Sequence, residues 1–404
     1  MLKDFFFLAL GNLRKRGIRS WLTILGIFIG IAAVVSLISI GQGLQGYINN
    51  QFEEVGGDKI LIQPRIFAPP GSVTEEELII NDNDLNVIRD VRGVEDAEGY
   101  LTRTGIVLNE KEQEIVFISG VNERYLEVFG KTSFTEPIEG RQLRDSDKSK
   151  VIVGYNHIFG NIWDKKLKIG DDLEIKGNDF EIIGVLEKQG NSGDDNSVWI
   201  QKETFKEIFE TGKDEGIVVA KVKKNSNPDD IAKDIADALR DERGEEEGEE
   251  TFSVQSFSQL LETFTDIFAV VQLVFIGIAG ISLVVGGIGI MNTMYTSVLE
   301  RTKEIGVMKA VGAKNKDIFF IFFTESGLLG LVGGVIGVLL GIGIGKGVEY
   351  IATVQLGTPF LQAVFGFELI FGALAFSFII GAVSGVLPAM QAAKLKPADA
   401  LRYE

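Results

Sequence analysis

Four long apolar stretches constrain the fold of this 404-residue chain more than any other feature. Each carries at most one charged residue, and they cover residues 21–40, 267–299, 318–345 and 369–393. About 20 helical residues, each rising ~1.5 Å, cross the ~30 Å hydrocarbon core of a membrane. The first stretch spans a full bilayer, unlike the short core of a secretory signal, and no typical cleavage site follows it. The sequence therefore predicts an α-helical membrane protein with four spans.

Positive charge gathers in three places: before residue 21, between residues 300 and 317, and after residue 393. Lys and Arg near the ends of a span stay preferentially on the cytoplasmic side. We therefore expect both termini and the 300–317 loop to be cytoplasmic in the cell membrane, with residues 44–256 extracytoplasmic. The chain carries −17 overall and the residues outside 41–266 sum to +5, so this outer region carries −22. Membrane lipids are expected partners, whereas nucleic acid is not, because phosphate recognition needs a basic face.

The outer region, 44–256, has the pattern of a mixed α/β domain. A strand pattern at 59–63 precedes a helix pattern at 83–92, with Asn81 or Asp82 as its cap. A second strand, helix and strand pattern occurs later, at 216–222, 228–239 and 251–255. Between these two βαβ-type units, residues 104–215 contain short alternating runs and the turn signal KGND. The sequence predicts two βαβ units that bracket an inserted, mainly β subdomain.

The remaining segments complete the predicted order. Residues 1–17 combine apolar residues at helical spacing with a basic cluster, which predicts an amphipathic interfacial helix; a frayed terminus is the alternative. The uncharged run that ends at residue 299 is longer than a bilayer, so it predicts a stalk helix continuous with the second span. The predicted segments are 18–43 for the first span, 257–299 for stalk and second span, 300–317 for a cytoplasmic loop, 318–345 for the third span, 346–368 for an outer loop, 369–393 for the fourth span and 394–404 for a cytoplasmic tail.

No residue pattern in the chain indicates an enzyme, a cofactor site or a metal site. Cysteine is absent and His157 is the only histidine, which excludes disulfides, thiolate sites and multi-histidine metal sites. The segment GIGIGKG at 341–347 resembles a phosphate loop, but only three residues separate its first Gly from Gly-Lys, and no Ser or Thr follows. We therefore predict a non-catalytic chain without a metal or cofactor of its own.

Two features inside the spans predict close packing. Glycines recur at four-residue spacing in the first and third spans, which lets helix backbones approach closely, either within one chain or between the chains of a dimer. These residues are Gly26, Gly30, Gly330, Gly334, Gly337 and Gly341. Glu325, the one carboxylate of the third span, is a candidate for packing or coupling; near an interface, structural pairing competes with proton transfer.

The loop between the second and third spans reads ERTKEIGVMKAVGAKN over 300–315. As a helix it places Ile305, Met308 and Val311 on one side, with Arg301, Glu304 and Lys309 elsewhere; Gly312 is a natural stop. A short amphipathic helix of this kind can dock on a partner. An inert interfacial loop is the alternative that the pattern alone leaves open.

The residues ERTKEIGVMKAVGA at 300–313 resemble the signature of MacB-type ABC transporter permeases, the family that includes FtsX-like and lipoprotein-releasing proteins. Three further stretches share the resemblance: RSWLTILGIFIGIAAVVSL in the first span, IGDDLEIKGNDFEIIGVL at 169–186 and PAMQAAKLKPADALR at 388–402. The resemblance implies four spans and a porter-like α/β outer domain with an inserted β-rich part. It also implies that Arg301, Glu304, Ile305, Met308, Lys309, Val311 and Gly312 form a coupling helix.

The family resemblance implies a permease subunit that couples ATP hydrolysis to movement of the outer domain, for export of an amphiphile, antibiotic, peptide or lipoprotein. Full-length MacB proteins carry an N-terminal ATPase domain, whereas about twenty residues precede the first span here. We therefore expect a separate ATPase chain that binds ATP and Mg, a homodimer in a two-permease, two-ATPase complex, and an extracytoplasmic adaptor as a further candidate partner. The alternative function is an FtsX-like mechanotransducer that transports nothing and activates an outer enzyme or sensor.

Overall fold

The computed structural model describes residues 17–65, 79–355 and 361–401. The amphipathic helix predicted at 1–17 lies outside these residues, except for Gly17. The helices within them are α1 Gly17–Val55, α2 Asp82–Asp90, α3 Glu123–Phe129, α4 Tyr155–Ile158, α5 Ser192–Asp195, α6 Lys202–Phe209, α7 Pro228–Arg243, α8 Phe257–Glu300, α9 Thr302–Ala310, α10 Asn315–Tyr350, α11 Phe367–Lys394 and α12 Pro397–Leu401. The strands are β1 Lys59–Pro64, β2 Val94–Asn109, β3 Glu112–Val121, β4 Pro137–Gly140, β5 Lys150–Val153, β6 Asp172–Ile175, β7 Asn178–Leu186, β8 Val198–Gln201, β9 Ile217–Val222 and β10 Phe252–Ser256.

The chain divides into two compact units. The α/β unit is formed mainly by residues 46–266, and the helical unit by the segments before and after them. Helix α1 continues to Val55, beyond the predicted end of the first span at residue 43. Helix α8 is continuous over 44 residues, so stalk and second span form one helix, as the uncharged run predicted.

Two split β-α-β units form one end of the α/β unit. Four strands lie in the order β10-β1-β9-β2, and every neighbouring pair is antiparallel. Strands β1 and β2 are therefore parallel with β9 between them, and β9 and β10 are parallel with β1 between them. Helices α2 and α7 make the two connections, and their apolar faces pack on the sheet through Ile88, Ile235 and Leu239. This arrangement confirms the two predicted βαβ-type units.

Both connecting helices begin where asparagine caps them. Asn81 accepts hydrogen bonds from the backbone N–H groups of Asn83 and Asp84, and the Asp84 carboxylate accepts one from the Asn81 N–H. This capping box identifies Asn81 as the cap of α2, where the sequence offered Asn81 and Asp82 as alternatives. At α7, Asn227 is the cap and Pro228 occupies the first turn, where its missing N–H costs nothing.

The inserted β-rich part is a closed ring of six strands. Strand β2 pairs with β3, and the ring continues through β8, β5, β7 and β6 back to β2. The interior is filled by side chains from alternate strand positions, including Leu101, Ile118, Phe180 and Ile200, all at most 1% exposed. Lys176 and Gly177 both have positive φ at the predicted KGND turn, as a two-residue hairpin requires.

Within the described ranges, four helices are long and apolar enough to cross a membrane: α1, α8, α10 with its continuation to Val354, and α11. Glycines let them approach closely within one chain. A Cβ on Gly26 would lie 2.8 Å from the Gly286 Cα of α8, and one on Gly337 would lie 2.8 Å from the Ile31 Cβ of α1. A Cβ on Gly330 would lie 2.9 Å from the Gly381 Cα of α11.

The other predicted packing glycines also contact spans of the same chain. Gly30 faces Leu283, Gly334 faces Ser377 and Gly341 faces Ala32 and Val35. All six predicted packing glycines therefore contact other spans of the same chain.

Candidate functional site

Helix α9 follows α8 after a sharp break at one residue. Helix α8 ends at Glu300, and Arg301 has φ −105° and ψ 15°, outside the helical range. The buried Thr302 hydroxyl lies 3.0 Å from the Val298 carbonyl oxygen and 2.9 Å from that of Leu299. These carbonyls belong to the last turn of α8, whose oxygens have no partner further along the helix. The hydroxyl satisfies this helix end and allows the chain to turn.

The end of α9 is a Schellman motif. The Ala313 N–H donates to the Met308 carbonyl at 3.0 Å, and the Gly312 N–H donates to the Lys309 carbonyl at 3.1 Å. Gly312 has φ +111°, which glycine adopts without the clash that a Cβ would cause. Gly312 therefore ends the helix, as the sequence predicted.

The apolar side chains of α9 do not share one accessible face. Ile305 is fully buried, and Met308 packs against the same apolar cluster of the helical unit. Val311, which the sequence grouped with them, is 85% exposed. The expectation of one docking face made of all three residues is therefore corrected: Ile305 and Met308 pack into the apolar cluster that also contains Ile318 and Phe322 of α10.

The accessible face of α9 is formed by five residues. They are Lys303, Glu304, Val307, Ala310 and Val311, named here the exposed face of α9. Val307 is 52% exposed, and Glu304 and Val311 are exposed with it. The spacing of three and four residues places them on one side of the helix. Sequence reasoning missed Lys303, Val307 and Ala310, although their spacing from Glu304 and Val311 was available as a signal.

Arg301 connects the start of α9 to α10. Its Nε donates to the Glu304 carboxylate at 2.9 Å, and its Nη1 donates to the Glu325 carboxylate at 3.2 Å. The guanidinium also lies over the Phe322 ring, 5.7 Å from its centroid. Glu325 is only 4% exposed, so this ion pair accounts for a buried charge inside a span. The structure thus assigns Glu325 a structural contact with the loop.

Lys309 connects the end of α9 to the end of α11. Its Nζ donates to the carbonyl oxygens of Ala393 and Leu395, at 2.7 and 2.6 Å. The last carbonyls of a helix lack intrahelical donors and carry partial negative charge, so an ammonium group is well placed there. Helix α12 packs against α9 as well. Helix α9 is therefore held at its start by α10 and at its end by α11 and α12.

No metal-binding group of three or more His, Cys, Asp or Glu residues occurs among the residues that the structure describes. His157 is buried in the α/β unit, where Trp163 Nε1 donates to its Nδ1 at 3.1 Å and its Nε2 lies 2.8 Å from the Asn196 carbonyl oxygen. Burial lowers the pKa of His157 to about 4. Both ring nitrogens have hydrogen-bond partners, and the ring packs against Trp163, which belongs to the core of the β ring.

Two family models match this chain in succession. The MacB-like periplasmic core domain matches residues 20–238, and the FtsX-like permease C-terminal model matches residues 276–397. The solved periplasmic region of MacB from Actinobacillus actinomycetemcomitans aligns with 54% of this chain and 97% of its own, at 15% identity and a TM-score of 0.42.

Curated relatives match over nearly the full length. An uncharacterized ABC transporter permease of Methanocaldococcus jannaschii is 36% identical over 99% of this chain and 98% of its own. The uncharacterized ABC transporter permease YknZ of Bacillus subtilis is 30% identical over 98% of both chains. The macrolide export ATP-binding/permease protein MacB of Bdellovibrio bacteriovorus is 29% identical over 97% of this chain and 60% of its own. With its four apolar helices and large α/β domain, this chain belongs to the family of MacB/FtsX-like ABC transporter permeases.

Proposed function

We propose that this chain is the permease subunit of an exporter in which a separate ATPase chain binds ATP and Mg and docks on the exposed face of α9. Two permease chains and two ATPase chains form the complex, with the termini and α9 in the cytoplasm. ATP-driven closure of the ATPases moves the spans, and α8 transmits that movement to the extracytoplasmic α/β unit. An extracytoplasmic adaptor would receive the cargo: an amphiphile, antibiotic, peptide or lipoprotein.

The observation that carries this proposal is the division of α9 into an anchored side and a free side. On the anchored side, Arg301 binds Glu325 of α10 and Lys309 binds the end of α11. On the free side, Val307 and Val311 expose apolar surface beside the charged Lys303 and Glu304. Apolar side chains rimmed by charges are typical of a protein contact.

The contacts of Arg301 and Lys309 also explain how a displacement of α9 is transmitted to the spans. A force applied to the exposed face acts on α8 through the chain, on α10 through the Arg301 ion pair and on α11 through Lys309. Closely packed helices transmit such a displacement because their interior does not deform continuously. The glycine contacts of α10 with α1 and α11, together with those of α1 with α8, connect all four spans.

The docking step is tested by copurification of this chain with candidate ATPase subunits and by the ATPase rate of the complex. Val307→Asp and Val311→Asp place a charge on the exposed face without disturbing the core. We expect both to weaken the complex at least tenfold, because each buries a carboxylate in the contact. Glu304→Lys should also weaken it. The matched control is Ile115→Asp, at a residue of β3 that is 72% exposed. Wild-type binding and turnover in both valine variants would refute the docking assignment.

Export is tested separately from docking. Inside-out vesicles that contain both subunits should accumulate a labelled cargo with ATP, and Val311→Asp should abolish the accumulation. If the ATPase responds to the permease but no compound of a broad panel moves, the FtsX-like mechanotransducer is the correct function.

A further inference from the structure

The α/β unit contains an aromatic cavity of about 390 Å³ that the proposed coupling mechanism does not use. It lies on the outer face of the β ring, where strands β2, β3 and β8 pair with one another, and helix α3 with the loop after it forms its other side. Strand residues alternate between two faces, so Leu101, Ile118 and Val198 fill the ring while their neighbours line the cavity. Its volume is within the range of small-molecule sites, about 300–1,000 Å³.

Six aromatic rings form most of the cavity wall. They are Tyr100, Phe117, Tyr125, Phe129, Phe134 and Trp199. The centroids of Tyr100 and Tyr125 are 5.0 Å apart, and those of Tyr125 and Phe129 are 5.7 Å apart. Such contacts hold the rings in place without filling the space between them. A ligand cation placed over aromatic faces is attracted by their negative quadrupole.

The cavity wall carries two phenol hydroxyls, those of Tyr100 and Tyr125. Among the residues that the structure describes, neither the Tyr100 nor the Tyr125 hydroxyl has a hydrogen-bond partner, although Tyr125 is only 6% exposed. These two hydroxyls therefore remain available to a ligand.

Asp194 supplies a negative charge at the cavity. Its carboxylate accepts a hydrogen bond from Asn191 at 2.6 Å and makes no ion pair with a Lys or Arg of the described residues. Burial raises the pKa of Tyr100, and the charge of Asp194 raises it further, so the field of this carboxylate reaches the aromatic wall. No basic side chain from the described part of the chain lines the cavity.

We propose that this cavity binds an organic ammonium cation with an apolar body, its charge held over the aromatic rings and opposite Asp194. An anion would meet the Asp194 charge without a compensating base, and a neutral ligand would leave that charge unused. The net charge of −22 over residues 41–266 also concentrates cations near this unit. As a cargo site the cavity rests on the proposed export function, whereas the binding itself does not require it.

The test measures binding of benzyltrimethylammonium to the full chain in detergent, without an ATPase, by titration calorimetry. Phenylmethanesulfonate, of similar shape and opposite charge, is the comparison probe. We expect the cation to bind and the anion not to bind. Asp194→Asn should weaken cation binding by roughly fivefold or more, and Trp199→Leu by a similar factor, since each removes one attraction. The control Asp179→Asn changes an exposed carboxylate in the hairpin of β6 and β7 and should bind as wild type does.

Several outcomes overturn the proposal. They are no binding of the cation, equal binding of the anion, or equal affinities for Asp194→Asn and Asp179→Asn. Circular dichroism of each variant verifies that the fold is intact. Because no ATPase is present, a failed docking or export assay leaves this result standing, and absent cation binding leaves the docking result of Val307→Asp standing.

Discussion

Replacing Lys202 by Met should destabilise the α/β unit strongly, because this lysine neutralises two buried carboxylates. Its Nζ lies 2.6 Å from Glu98 of β2 and 2.5 Å from Glu215, which precedes β9. The side chains of Lys202, Glu98 and Glu215 are 3%, 6% and 4% exposed. The three residues meet where the chain passes between the split β-α-β units and the β ring. The lysine thus fixes one part of the α/β unit to the other.

The expected size of the effect follows from burial and from the remaining partners. Removing one member of a buried ion pair costs ~3–5 kcal/mol, because the other charge stays buried without compensation. Glu98 keeps Arg89 at 2.6 Å, and Glu215 keeps Lys206 at 2.5 Å, so we expect the lower end, ~3 kcal/mol. For a domain of this size, each kcal/mol lowers Tm by about 2–4 °C, which gives a decrease of about 6–12 °C.

Thermal unfolding followed by tryptophan fluorescence measures this decrease, because buried Trp163 and half-buried Trp199 lie in the α/β unit. The control is Lys165→Met: Lys165 pairs with Glu110 at 2.8 Å, but the side chains are 73% and 69% exposed. Water screens such a pair, so this variant should keep the wild-type Tm. Adding Glu215→Gln to Lys202→Met should recover part of the loss. Equal Tm values for Lys202→Met and Lys165→Met would refute the reasoning.

Three further predictions concern the spans, the histidine and helix α9. Gly334→Val should prevent folding of the helical unit, because a side chain there collides with Ser377. The control Gly343→Ala adds a Cβ with no atom within 4 Å of it, and should yield wild-type amounts of folded protein on size-exclusion chromatography. The pKa of His157 is about 4, below its ordinary value near 6.5, so the unfolded state binds more protons and wild-type stability should fall by about 3 kcal/mol between pH 6.5 and 4. His157→Gln should remove this part of the pH dependence in denaturant titrations. Lys309→Met leaves two carbonyls of the α11 end without their donor, and should retain ATPase binding in copurification but lower ATP-driven transport severalfold.

Much of the fold could be predicted because its signals are local. Uncharged length identifies a span, Asn followed by Pro identifies the start of α7, and Lys-Gly between two strand patterns identifies the β6–β7 hairpin. Each of these features depends on residues that are close in sequence. Gly312 belongs to the same class, since a glycine after an amphipathic segment commonly adopts the left-handed conformation that ends a helix.

The rest depends on contacts between distant residues. Strand β2 pairs with β9 through residues 94–100 and with β3 through 101–109, so the boundary of the β-rich part runs through one strand instead of a linker. The closure of the β ring depends on the short contact of β6 with residues 107 and 108 of β2. Neither strand pairing can be recognised from the local sequence pattern, because strand propensity does not specify which strand a given strand pairs with.

Helix α9, the proposed coupling site, shows the same division between local and distant information. The sequence predicted a helix here, but periodicity alone could not tell which of its apolar residues face the protein. Ile305 is buried in the same apolar cluster as Ile318 and Phe322 of α10, whereas Val311, the residue after the last one of α9, is exposed. The sequence listed Arg301 and Lys309 among the residues of the expected coupling helix. In the structure, their side chains instead bind Glu325 and the end of α11, and a helical projection cannot show such contacts.

This division gives α9 two separable sets of residues. Variants of the exposed face change what the helix can bind, because Val307 and Val311 have few contacts of their own to lose. Variants of the anchors change what a bound partner can move, because Arg301 and Lys309 join the helix to α10 and α11 while adding little to the accessible surface. Binding and transmission should therefore fail independently. Because an inert interfacial loop would show neither loss, the comparison of Val311→Asp with Lys309→Met distinguishes a coupling helix from the alternative that the sequence left open.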